Sequence, residues 1–353
     1  MTDLFVIAGE ASGDQLGEGL LEALYKQRPD LKVFGIGGPK MRAVGIEICF
    51  PMEELQVMGF VDVALAFPKL LRYFRKTAQA ILEANPPVVV TIDYPGFNLR
   101  LAKALRKKGF KGRICHYICP SVWAWGKKRI QLMADNLDLL LSVLPFEKQL
   151  FAKTLLRVEY IDHPLARNIE VQKKAENVIG FFPGSRTKEI ERNLPFYVRL
   201  IEKLRKEFPQ YTYVVSIAQE KYRPLIQKLA PGLEVMKDQK LCLAVAKSGT
   251  VTLELALKGI PTVVTYAISP FDIFLAKYIF RISLPFYALP NLIAGKSVFP
   301  ELIGPALTDE NLLREVKNLI TNQDQCRQEC QKLRALLGTQ DANQRAAELI
   351  LSL

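Results

Sequence analysis

Short apolar runs rich in β-formers recur along the chain, and between most of them the apolar positions repeat with helical spacing. In the first half the runs are Leu4–Ala8, Leu31–Ile36, Val88–Ile92, Ile114–Ile118, Leu139–Val143 and Val158–Ile161. In the second they are Val178–Phe182, Tyr211–Ile217, Leu233–Met236, Leu243–Ala246 and Thr262–Tyr266. Near-continuous apolar runs predict strands covered by helices on both faces, so each half reads as a βαβ array around a parallel sheet. Leu16, Leu20, Leu21 and Leu24 then form one broad face of the first helix. The turn Asp162-His163-Pro164-Leu165 and the polar stretch from Asn168 to Asn177 predict a boundary, with one domain over 1–164 and another from 165. His163 reads as a hinge or structural residue, because no nucleophile stands near it in sequence.

Ligands of open α/β sheets gather at the carboxyl ends of the strands, so the turns after these runs are where chemistry is expected. The first run enters Gly9-Glu10-Ala11-Ser12-Gly13-Asp14, whose spacing is not G-x-G-x-x-G and which no P-loop lysine follows; NAD and ATP are therefore not expected. The second ends in Gly37-Gly38-Pro39, where backbone can approach a ligand closely. Val88–Ile92 ends at Asp93, which either faces a ligand or caps its own turn. Both tryptophans, Trp123 and Trp125, lie in one loop before Lys127-Lys128-Arg129, and three uses stay open for them: stacking on a sugar, resting at a membrane interface, or filling a cleft.

Val178 to Ile190 reads strand, tight loop, helix. Gly184 and Ser185 leave backbone N–H groups pointing at one spot that the helix dipole makes favourable to anions, and Arg186 adds a fork-shaped cation. A diphosphate site and an ordinary βα turn with a solvated arginine both fit. Ser248-Gly249-Thr250 opens another helix in the same way, and Glu254 lies one turn on, set either to bind sugar hydroxyls or as a solvated helix acid.

Composition narrows the class. With 353 residues, 49% apolar and 24% charged, the chain is of soluble globular type and long enough for two cores. A formal charge of +12 points to an anionic partner: nucleic acid, a phosphorylated substrate or an acidic membrane surface. The chain starts Met-Thr-Asp-Leu with no charged-then-apolar leader, so its six cysteines are expected as free thiols in a reducing cytosol. Cys326 and Cys330 share a helix face, but two histidines are too few to complete a metal site, and none is expected. No uninterrupted apolar stretch approaches the ~20 residues of a transmembrane helix. Val57 to Pro68 is nonetheless almost wholly apolar, and Lys69, Arg72, Arg75 and Lys76 follow it. This segment is expected to lie in a membrane interface with Val57, Phe60, Val61, Leu65 and Phe67 among acyl chains, the alternative being a buried helix.

Taken together, Gly9-Glu-Ala-Ser-Gly-Asp14, Val57-Met-Gly59, Ile92-Asp-Tyr-Pro-Gly-Phe-Asn98, Pro120-Ser-Val-Trp-Ala-Trp125, Leu144-Pro-Phe-Glu147, Pro183-Gly-Ser-Arg186, Ser248-Gly-Thr250 and Leu289-Pro-Asn-Leu-Ile-Ala-Gly295 stand in the order seen in the lipid-A-disaccharide synthase family, which the chain resembles over nearly its whole length. The resemblance implies an α/β GT-B glycosyltransferase fold: two Rossmann-like domains facing across a cleft, the second over 165–325, with a helical segment 326–353 crossing back to the first. It implies an inverting transferase of lipid A biosynthesis that needs no metal or cofactor. UDP-2,3-diacylglucosamine and 2,3-diacylglucosamine 1-phosphate would be its substrates, at the cytoplasmic side of the inner membrane, with no nucleic acid; a homo-oligomer is left open. Carried over by motif, Arg186 would hold the diphosphate, Glu254 the ribose and Asn291 the donor. Asp93 would be the general base, with Glu10 and Asp14 as rivals and Ser12 nearby. Two positions depart from the family pattern: Asp162 stands where glycine is usual, and Ala267 follows Tyr266 where a basic residue is common. The competing readings are another GT-B enzyme, such as a UDP-N-acetylglucosamine 2-epimerase, and a non-catalytic nucleotide- or membrane-binding relative.

Overall fold

The computed structural model describes residues 2–54, 60–124, 126, 128–172, 177–236, 240–269, 272–273, 284–338 and 340–353, with backbone alone for 60–67 and 168. The chain divides into two compact units, Met1–Pro164 with Gln340–Leu353, and Leu165–Thr339.

In the first unit seven parallel strands form one sheet: β1 (Leu4–Ala8), β2 (Val33–Ile36), β3 (Glu47–Ile48), β4 (Val88–Ile92), β5 (Arg113–Tyr117), β6 (Leu139–Ser142) and β7 (Arg157–Tyr160), ordered β3-β2-β1-β4-β5-β6-β7. Every residue of β1 and β4 is buried, as strands covered on both faces must be. The strand order reverses between these two, the switch point where doubly wound sheets open a crevice. Ala8 pairs with Ile92 and Ile92 with Tyr117, which brings the turns after β1, β4 and β5 to one sheet edge.

The second unit repeats the plan with β8 (Val178–Phe182), β9 (Thr212–Ser216), β10 (Glu234–Met236), β11 (Leu243–Lys247), β12 (Thr262–Tyr266) and β13 (Glu301–Ile303), ordered β10-β9-β8-β11-β12-β13. Phe182 pairs with Ala246, so the turns after β8 and β11 are neighbours at its switch point.

Three features differ from the sequence reading or add to it. The short strands β3 and β13 were not foreseen, because two or three residues carry no periodic signal. Of the segment 326–353, the helix Gln323–Leu336 clusters with the second unit, and the chain joins the first only from Gln340. Asp162 has φ +63, a left-handed conformation that glycine adopts freely and Asp more readily than most residues; its carboxylate accepts from the Gln340 amide at 2.9 Å. The departure from the family pattern thus has a local compensation.

Val57 and the side chains of Phe60, Val61, Leu65 and Phe67 lie outside the described residues; the backbone from Phe60 to Ala84 is helical. Among the described residues no helix is long and apolar enough to cross a membrane. All six cysteines are free thiols.

Candidate active site

The first unit gathers strain at one sheet edge. Asp93 and Tyr94 both have φ +46, two consecutive left-handed residues at the end of β4, and Ile118, at the end of β5, has φ +77. Such conformations cost free energy in non-glycine residues, most of all β-branched ones, and they concentrate at functional sites. Asn98 secures the turn: its fully buried amide donates to the carbonyls of Asp93 at 2.7 Å and Ile92 at 3.3 Å. Asp93 itself is half-buried, and burial holds its carboxyl above the ordinary aspartate range despite a hydrogen bond from the Tyr94 amide. A carboxylate moved towards neutral pH is better matched to taking a proton in catalysis. Replacing Asn98 with alanine is expected to cost about 1–3 kcal/mol, the penalty of an unpaired buried group. Asn98→Asp should be worse, because a carboxylate would face two carbonyl oxygens. Urea unfolding checks both, and an unaltered midpoint in either variant would show that the turn does not depend on this side chain.

The loop after β1 meets this turn. A Cβ on Gly9 would lie 2.5 Å from the Tyr94 ring, so only glycine lets that ring pack there. Glu10 is the exposed N-cap residue of the helix Ala11–Gln27, and its charge, after burial, raises the Tyr94 hydroxyl. Ser12 is exposed in the first turn of the same helix. Asp14, expected among the candidate catalytic acids, is placed otherwise. It is 3% exposed and accepts from the amides of Gly38 (2.8 Å), Lys40 (3.0 Å) and Met41 (3.1 Å), so it fastens the turn after β2 and its oxygens are already committed.

In the second unit Gly184, Ser185, Lys247, Ser248, Thr250 and Glu254 border one cavity of about 450 Å³. Gly184 has φ +126, and a Cβ there would come within 2.7 Å of Glu189, so the loop closes only around glycine. The Ser185 amide donates to Glu189 Oε2 at 3.1 Å, while Glu189 Oε1 receives Lys247 Nζ at 3.1 Å and an Arg186 guanidinium nitrogen at 3.3 Å. A carboxylate thus sits where one amide and two cations converge. Burial tends to raise Glu189, but the Ser185 amide and Lys247 outweigh it and hold the carboxyl below its usual range. The arginine side chain is 81% exposed and the Lys247 side chain 15%. Lys247 ends β11 and its ammonium lies 4.6 Å from the Tyr266 ring centroid. The helix Thr250–Leu257 starts without a side-chain cap, and Gly249, Thr250 and Val251 at its start border the cavity. Glu254, half-buried along the same wall, has its carboxyl raised by burial.

Asn291, expected to touch the donor, is fully buried and spends every polar atom internally. Its Oδ1 accepts from the Val298 and Phe299 amides, and its Nδ2 donates to Phe299 O and Glu301 Oε1 at 2.8 Å each. It pins the strand entering β13, while Ser248 Oγ donates to Tyr287 O at 3.2 Å. Ala267, the other departure from the family pattern, uses its amide to reach Asn193 Oδ1 at 3.0 Å. Lys247 and Glu189 went unnoticed in the sequence, although both flank the loops that were singled out.

A family model described as lipid-A-disaccharide synthetase matches residues 4–352. The lipid-A-disaccharide synthase of Chlamydia trachomatis is 41% identical over 323 residues, 85% of this chain and 53% of that protein. That of Pseudomonas putida is 35% identical over 369 residues, 99% of this chain and 97% of that protein. The chain therefore spans about half the length of the chlamydial relatives it matches. Among solved structures, a UDP-GlcNAc 2-epimerase from Neisseria meningitidis bound to UDP-GlcNAc aligns with TM-score 0.63 at 12% identity, covering 100% of both chains. The glycotransferase of kitacinnamycin aligns with TM-score 0.65 at 15% identity, covering 99% of this chain and 98% of that one. At such identities these two speak for the fold alone, which is the GT-B class.

Proposed function

The chain belongs to the lipid-A-disaccharide synthase family, and from that premise we propose that it joins UDP-2,3-diacylglucosamine to 2,3-diacylglucosamine 1-phosphate. The products are the β-1′,6-linked disaccharide 1-phosphate and UDP. The observation that carries this reading is the second-unit cavity, bordered by two loop-to-helix starts, Lys247 and the half-buried Glu254, with Arg186 joined to its wall through Glu189. The acceptor 6-hydroxyl attacks the anomeric carbon of the donor as the bond from that carbon to the diphosphate breaks. The electron pair leaves with UDP, and the hydroxyl proton passes to Asp93, with Glu10 the remaining rival. Charge grows on the diphosphate as it departs, and fixed amides at Ser185 and Thr250 with Arg186 and Lys247 are suited to stabilise it. Glu254 would hold the ribose hydroxyls. Likeness to epimerases at 12% identity does not favour that alternative.

The test is to incubate the purified protein with both acylated sugars and follow products by mass. The disaccharide with stoichiometric UDP is the expected result. UDP-N-acetylglucosamine turned into its 2-epimer without any acceptor would replace this reading by the epimerase one.

Both substrates are lipids, and the helix from Phe60 carries Lys69, Arg72, Arg75 and Lys76 after its apolar start. Each cation near an anionic surface contributes ~1 kcal/mol. The protein should therefore sediment with acidic vesicles at low salt and be released as salt rises. Serine at Val57, Phe60, Val61, Leu65 and Phe67 should abolish sedimentation without unfolding. Loss of the cooperative thermal transition in that variant would mean that the segment is core.

A further inference from the structure

A groove of about 550 Å³ lies on the first unit between the helices Phe60–Ala84 and Pro95–Lys107, and the chemistry above makes no use of it. Leu71, Phe74, Ala78 and Leu82 line it along the first helix, and Ala104 lines it from the second. Steps of three and four residues keep the first four on one face, over roughly 16 Å of helix. The groove is held open from below. Phe74 meets Phe97 edge-on, with ring centroids 5.4 Å apart, and the alanines are too short to fill the space. Leu71 is left 36% exposed, so an apolar occupant would remove apolar surface from water.

The rim is cationic. Arg75 and Lys108 border the groove, both are exposed, and among the described residues neither meets an acid. Glu83, the acid on the rim, accepts from Gln79 Nε2 at 2.7 Å and stands two helical turns past Arg75. Arg100, Lys103 and Lys107 continue the positive surface along the second helix, exposed and likewise without an acid among the described residues. A chain of methylenes can follow the apolar face without burying a polar group of its own. A phosphate at the end of that chain would meet two cations that have no other partner. In the helical sequence Phe67, Ala64 and Phe60 fall at the same spacing before Leu71, which carries the apolar pattern back to the segment expected in the membrane interface.

We propose that this groove seats one acyl chain of an anionic membrane phospholipid, with its phosphate held by Arg75 and Lys108. The inference deepens the membrane reading above by naming the lipid and its seat, and it does not depend on the transferase reaction. The probe is lysophosphatidylglycerol below its micellar concentration, titrated calorimetrically into the full chain. One molecule should bind saturably, and affinity should rise about fourfold for each added methylene until the acyl chain outruns the groove. Ala104→Phe fills the groove from its half-buried wall and should lower the affinity on the order of tenfold or more with Tm unchanged. Arg75→Gln with Lys108→Gln, at two exposed positions that leave folding intact, should remove the preference for this lipid over lysophosphatidylcholine of the same chain length. The variant with serine at Val57, Phe60, Val61, Leu65 and Phe67 should keep the binding while it no longer sediments with vesicles, so the two membrane readings fail separately. Absence of saturable binding, its loss in the serine variant, an affinity that Ala104→Phe leaves unaltered, or equal affinity of the unsubstituted protein for both headgroups overturns the proposal. So does competitive displacement by 2,3-diacylglucosamine 1-phosphate, which would make the groove part of the acceptor site.

Discussion

Asp93→Asn is expected to lower turnover by about 10²- to 10⁴-fold, the range for removing a positioned general base, while UDP affinity is unchanged. Asparagine keeps the shape and tolerates the left-handed backbone at this position, so the turn secured by Asn98 should survive and the loss can be assigned to the missing proton acceptor. The pH profile gives a second readout. Because burial raises the Asp93 carboxyl and a base must be ionised to act, kcat/KM should rise with pH through a limb lying above the range of an ordinary aspartate. Asp93→Asn should lack that limb. Steady-state rates with calorimetric titration of UDP measure both. Weakened UDP binding with unchanged turnover of bound donor would make Asp93 a substrate-positioning group and move the role of base to Glu10.

Removing the cations around Glu189 should have an effect of similar size. Arg186→Ala is expected to cost on the order of 10²-fold or more in kcat/KM, as the loss of one fixed group facing a charged transition state does. Arg186→Lys should recover little, because a point charge does not reproduce a bidentate fork. Lys247→Met should cost a comparable factor. Lys247 is the better enclosed of the two, and a charge shielded from water acts more strongly on a diphosphate than an exposed one. Both cations bind Glu189, so a diphosphate held by them would displace or share that carboxylate. Full turnover in Arg186→Ala alongside a large loss in Lys247→Met would leave the leaving group to Lys247 alone.

The sequence by itself determined the architecture. Val88-Val-Val-Thr-Ile92 and Leu243-Ala-Val-Ala246 are apolar at almost every position, which suits a strand covered on both faces, and β4 and β11 lie at the centres of their sheets. Parallel strands carry their turns at the carboxyl edge of the sheet, but that Asp93 comes beside Gly9 and Ser185 beside Ser248 follows from the strand order, which pairs β4 with β1 and β11 with β8. What local pattern could not supply was which polar side chains are already taken. Asp14 carries the same carboxylate as Asp93 and Glu254, and Asn291 an amide equally able to bind a ligand, but their partners lie 24 to 27 residues away for Asp14 and 7 to 10 away for Asn291. Only the folded chain shows their hydrogen-bonding capacity spent. Lys247 and Glu189 were missed for the converse reason: they are 58 residues apart, and each alone reads as a surface charge.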